Sequence, residues 1–163
     1  MSKSDNELLA ALFGGIIGAS IAAPNERDKR ELQEYRILLS EINRRQQRIG
    51  DLPYIVRLLR NPLYVNPFTE AYRMYLNGFY RGAVILQTAI IDSLLKEKYG
   101  EKDFYKRIEK AHKDGFIDDA DYHLLHSIRS KRNYSTHEIL QEVTEEDAIL
   151  VIRIVNKIMH KFI

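Results

Sequence analysis

Arg132 and His137 are the two side chains of this chain best fitted to do chemistry together. They close the two ends of the run Arg132-Asn133-Tyr134-Ser135-Thr136-His137. A guanidinium is always charged and offers a planar fork of donors that matches phosphate oxygens. It stabilises negative charge that develops during a reaction. An imidazole, with an unperturbed pKa near ~6.5, takes or gives a proton close to neutrality. On an unbroken helix, residues five apart leave the axis about 140° from one another, and the pair could not work together. Asn, Tyr, Ser and Thr are mediocre helix formers, and Asn, Ser and Thr compete for backbone hydrogen bonds. The expectation is a helix from Asp118 to about Lys131, ended or distorted before His137. The distortion would swing the imidazole toward Arg132.

Other chemistries find less support. There are no cysteines, which excludes disulfides, thiolate metal sites and a Cys nucleophile. His123 and His126, with Asp118, Asp119 and Asp121 nearby, lie three apart on one helical face. No third ligand falls at a known spacing, so a partly exposed helix face is the favoured reading and no metal is expected. Gly14-Gly15 is not followed by a phosphate-loop signature, and no cofactor is implied. The net charge of +2, from 25 basic and 23 acidic residues, is too small to argue for a polyanionic partner by itself. A basic run, Arg44 to Arg48, reads as a solvated helix face in preference to an RNA contact.

The elements that must position these residues are helices. Segments of 3.6-residue period dominate the chain, and strand patterns are scarce. Only 4 prolines and 8 glycines interrupt them. Leu8 to Ala23 is an apolar run with small residues at four-residue spacing, Gly14, Gly18 and Ala22. It reads as a buried or oligomerising helix, as a membrane contact somewhat short of a full span, or as a cleaved signal. Glu26 to Ile49 is a charged helix with a thin stripe of Leu32, Tyr35, Leu38, Leu39, Ile42 and Ile49, stopped by Gly50. Asp51 can cap a short helix, and Asn66-Pro67 marks a further boundary.

Five helices follow: Thr69 to Asn77, Tyr80 to Tyr99, Asp103 to Asp114, Asp118 to about Lys131, and one capped by Thr144 with Asp147 completing a capping box. Short connections favour antiparallel neighbours. The expected architecture is an all-α, antiparallel up-down bundle over 68–163. A charged helical extension over 24–67 and the apolar segment 1–23 precede it.

Beyond Phe68 the chain resembles the HEPN superfamily, whose hallmark is Arg, four to six residues, then His. Asn133 stands where that family often has a polar residue after the Arg. Gly78-Phe79-Tyr80-Arg81-Gly82-Ala83 and Ala89-Ile90-Ile91-Asp92-Ser93-Leu94-Leu95 resemble its preceding helix. The resemblance implies an endoribonuclease that needs no metal. Two Arg132–His137 pairs would face one another across a homodimer and leave 2′,3′-cyclic phosphate and 5′-hydroxyl ends. A toxin or defence effector with an antitoxin partner is one such role. A non-catalytic RNA-binding or interaction module is the alternative. Asn133 could then orient a phosphate or hold His137. Asp92 could pair with Arg132 or form an interhelix salt bridge, and Tyr134 could stack on a base or pack at a helix end. Position 139 is Ile, where toxins paired with a nucleotidyltransferase carry Tyr, so regulation by tyrosine modification is not expected. The expected location is cytoplasmic, with membrane association through residues 8–23 left open.

Overall fold

The computed structural model describes residues 25–52, 62–100, 103–137 and 140–162. The apolar run 8–23 and the short helix expected after Asp51 lie outside them. Among the described residues the protein is all-helical, with six helices: α1 Glu26–Ile49, α2 Pro62–Leu76, α3 Tyr80–Tyr99, α4 Phe104–Lys113, α5 Asp119–His137 and α6 Glu145–Met159. None of the described helices is long and apolar enough to cross a membrane.

The chain divides into two compact units, Met1–Ile37 and Leu38–Ile163. The described part of the first is the exposed beginning of α1. There i,i+4 and i,i+3 pairs, Arg27–Glu31 at 2.9 Å and Lys29–Glu26 at 2.7 Å, support a helix with little apolar surface.

In the second unit the core is built on α3 and α6. Ala83, Val84, Ile91 and Leu95 of α3 are fully buried, as are Val151, Ile152, Val155 and Ile158 of α6. On α6 only the stripe Glu146, Leu150, Arg153 and Lys157 is open to solvent, so the helix is enclosed on most sides. Two chain-sequential pairs, α2–α3 and α5–α6, run antiparallel. Tyr64 near the start of α2 donates to Glu97 near the end of α3 at 2.7 Å. Lys131 at the end of α5 meets Asp147 at the start of α6 at 2.5 Å, while Asp121 at the start of α5 holds Lys157 at 2.6 Å. The capping box expected at α6 is present: Thr144 accepts from the Asp147 N–H, and Asp147 accepts from the Thr144 N–H.

Three expectations change. Pro67 lies inside α2 rather than at its boundary. Past the first turn a proline removes an i→i−4 hydrogen bond and crowds the carbonyl four residues back, at about 3 kcal/mol, and the burial of Tyr64 and Phe68 on either side offsets it. The helix expected to stop near Lys131 continues to His137. The basic run of α1 is solvated at Gln46, Gln47 and Arg48 as expected, but its arginines are not free. Arg44 donates to both Glu145 oxygens at 3.2 and 2.7 Å, and Arg48 pairs with Glu145 at 3.0 Å. Arg45 donates to the Tyr80 hydroxyl and the Leu76 carbonyl, each at 2.9 Å.

Glu145 is the centre of this cluster, with a side chain only 10% exposed. Tyr80 donates to it at 3.1 Å and Tyr75 approaches at 3.4 Å. Burial pushes its carboxyl up, but the hydrogen bonds from Arg44 and Tyr80 and the fields of Arg44 and Arg48 hold it below the ordinary range. A folded pKa below the unfolded one gives stability that is present above the unfolded value and lost as pH falls through the folded one. Melting temperature should therefore hold from neutral to about pH 5 and fall below about pH 4. Glu145→Gln should lower it at neutral pH and flatten the acid limb, as read by thermal melts at stepped pH. An acid limb identical to the parent's would refute this assignment.

Gly78 turns the chain between α2 and α3 at φ +82°, and a Cβ there would lie 3.4 Å from Arg45 Nη2. Gly78→Ala should cost about 1–2 kcal/mol in urea denaturation, since an L side chain is strained at this φ and would press on the guanidinium.

Candidate functional site

α5 begins where the Asp118 carboxylate accepts from the Asp121 N–H at 2.7 Å, an N-cap arrangement. The helix buries Asp121, Leu125, Ile128 and Ser135 against the core. At its far end the local preferences of Asn, Tyr, Ser and Thr are overruled. Thr136 turns its hydroxyl onto the Arg132 carbonyl of its own helix at 2.8 Å. Arg81 of α3 donates to the Ser135 carbonyl at 2.7 Å and to the Gln141 carbonyl beyond the helix. One guanidinium thus satisfies a helix-end carbonyl, which has no intrahelical donor, and ties down the chain that leaves it.

This continuity decides what comes together. Arg132 and His137 leave an unbroken α5 about 140° apart, so the expected swing of His137 toward Arg132 does not occur. Asn133 and His137, four apart, share a face instead. His137 and Tyr134 are exposed, and Asn133 is partly so. Tyr134 is 42% exposed and is not packed into the helix end. Asp92 does not reach Arg132: its carboxylate pairs with Arg107 of α4, itself buried, in the interhelix salt bridge.

Arg132 is only half-exposed, yet its guanidinium makes no hydrogen bond or ion pair with any described residue. Arg44, Arg45, Arg81 and Arg107, at similar or greater burial, all have acceptors.

Two matched stripes, which the motif search did not single out, lie beside this helix end. Tyr105, Glu109 and His112 of α4 face Tyr122, His126 and Arg129 of α5, each set spaced i, i+4, i+7. Tyr122 donates to Glu109 at 2.7 Å. That hydrogen bond holds Glu109 below the ordinary carboxylate range and pushes the Tyr122 hydroxyl up to about 12. His126 Nε2 lies 3.3 Å from Glu109 but without hydrogen-bond geometry, and burial lowers its pKa against the field of that carboxylate. Its ring packs on Tyr122 at 4.5 Å and Tyr105 at 5.1 Å. His126 is therefore a packed aromatic, and among the described residues no group of three metal-ligating side chains converges. The repeated i, i+4, i+7 spacing of aromatic and ionisable residues was the available signal for this interface.

A family described as a domain of unknown function, DUF4145, matches residues 69–163. That is more than half of the chain, which belongs to this family. No curated protein and no solved structure matches it.

Removing the Arg81 guanidinium tests what holds the end of α5. In Arg81→Ala, hydrogen exchange at the amides of 133–137 should accelerate by about tenfold, the equivalent of one lost charged hydrogen bond. The amides of α6 should keep their parental rates. Unchanged exchange at 133–137 would show that local propensity alone carries the helix this far.

Proposed function

We propose that this protein is an endoribonuclease of the HEPN kind, acting as a homodimer with Arg132 and His137 as its reactive side chains and a toxin or defence role in the cell. The observation that carries the reading is the Arg132 guanidinium, open to solvent on a partly buried residue. It has no acceptor within the described chain, and it sits one residue from the open face of Asn133 and His137. An anion supplied from outside would complete it.

In this reading Arg132 holds the non-bridging oxygens of a phosphodiester and stabilises the charge that builds on them. The 2′-hydroxyl attacks the adjacent phosphorus, the bond from phosphorus to the 5′-oxygen breaks, and a 2′,3′-cyclic phosphate forms. A neutral imidazole takes the 2′-hydroxyl proton, and a protonated imidazole gives one to the leaving 5′-oxygen. Because Arg132 and His137 diverge along α5, a second copy of the chain must bring its own imidazole to the phosphate. The twofold arrangement supplies two arginines and two histidines to one groove. Asn133, sharing a face with His137, orients that ring or the phosphate, and exposed Tyr134 is free to stack on a base. The chemistry calls for no metal.

The continuous α5 favours a second reading, an RNA-binding module of the same family without turnover. Cleavage of mixed RNA by the purified chain in excess EDTA separates the two. The expected outcome is products with cyclic-phosphate ends, reduced at least 100-fold in Arg132→Ala and His137→Ala. Binding without cleavage by a folded dimer would favour the module.

A further inference from the structure

The geometry at Arg129 points to a second RNA contact beside Arg132. Among described arginines that are not fully exposed, Arg129 and Arg132 alone make no hydrogen bond or ion pair, whereas Arg44, Arg45, Arg81 and Arg107 each hold a carboxylate or a carbonyl. Among the described residues Arg129 Nε is buried without an acceptor, while its terminal nitrogens are open to solvent. A guanidinium donor withdrawn from water without a partner is destabilising, so the position is poorly explained by folding. The Tyr105 ring of α4 lies 5.3 Å from the guanidinium carbon. That ring is 43% exposed. Arg129 and Arg132 are one turn apart, which places neighbouring side chains about 5–6 Å from each other at Cβ. Glu109, the nearest carboxylate of α4, is occupied by Tyr122.

We propose that Arg129 and Tyr105 form a subsite for single-stranded RNA, Arg129 taking the phosphate next to the one held by Arg132 and Tyr105 stacking on a flanking base. A planar fork suits a phosphate, and an exposed ring backed by a cation is a platform for any base. An acidic peptide would satisfy the two arginines but would not stack on the exposed part of the ring. The subsite rests on the proposed RNA substrate, yet it concerns binding and not cleavage.

The test is fluorescence anisotropy of the full chain with a short labelled uridine-rich single strand, at several salt concentrations and in excess EDTA. It uses the His137→Ala background, so that the strand stays intact. Arg129→Gln should weaken binding about tenfold and reduce the slope of log affinity against log salt by about 0.7, the value for one lost phosphate contact on a single strand. Tyr105→Leu should weaken binding about fivefold or more with the slope unchanged, since stacking releases no counterion. Arg129→Lys should keep the slope and lose part of the affinity. Arg27→Gln, at an exposed ion pair, should match the parent. Circular dichroism establishes folding, and if Arg129→Gln does not fold, Arg129→Lys and Tyr105→Leu decide. Parental affinity and slope in folded Arg129→Gln would overturn the subsite while leaving the cleavage reading intact. Polyglutamate competing as well as RNA would overturn it in favour of an acidic protein partner. Weakened binding in these variants, from a parent that never cleaves, would support the subsite and reject the nuclease.

Discussion

The second compact unit is organised around one carboxylate. Glu145, in the first turn of α6, gathers Arg44 and Arg48 from α1 and the Tyr75 and Tyr80 hydroxyls from either side of the α2–α3 turn. A negative side chain is favourable at a helix N-terminus, and here it is also the shared acceptor for α1 and α3, with the Tyr75 hydroxyl of α2 beside it. Two charges enclosed in this way gain only if their remaining hydrogen-bonding capacity is met. Arg44 does so by also binding Glu41 at 3.0 Å, and Tyr75 does so by donating to the Arg45 carbonyl at 2.9 Å. The cluster gives the turn at Gly78 little freedom, and therefore defines where α3 starts.

From that start the constraint passes to the candidate site. Five of the six residues 78–83 carry separate duties. Gly78 makes the turn beside Arg45, and Tyr80 reaches Glu145. Arg81 crosses to the end of α5, while Gly82 admits Met74, whose sulfur would lie 3.0 Å from a Cβ at that position. Ala83 is fully buried. Arg81 is thus placed by Tyr80 on one side and by the close approach of α2 on the other. Its two carbonyl acceptors, Ser135 and Gln141, sit on either side of the exit from α5. The helix that carries Arg132, Asn133 and His137 is held at its last turn by a side chain more than fifty residues away in the chain.

Much of the architecture was legible because it depends on local chemistry. The 3.6-residue pattern announced α1, α3 and α4 close to their observed limits. Thr144 and Asp147 announced the start of α6, since a capping box is formed between residues three apart. Arg132, His137 and Asn133 were legible as reactive types, because pKa and donor geometry belong to the side chain itself. The length of α5 and the course of α2 through Pro67 were not legible, because there packing and distant hydrogen bonds outweigh intrinsic preference.

What the sequence alone determined is the helical class, most helix boundaries and the kinds of group available for chemistry, all properties of a residue and its near neighbours. Only the tertiary structure decided which charges are spent and which are left over. Arg44 to Arg48 looked free and are consumed by Glu145, Tyr80 and Leu76, and Asp92 looked available to Arg132 and is taken by Arg107. Arg129 and Arg132 end with no acceptor among the described residues. The physical reason is that an ion pair is settled by whichever partner the fold brings within a few ångströms, and that distance has no counterpart in the spacing of residues along the chain.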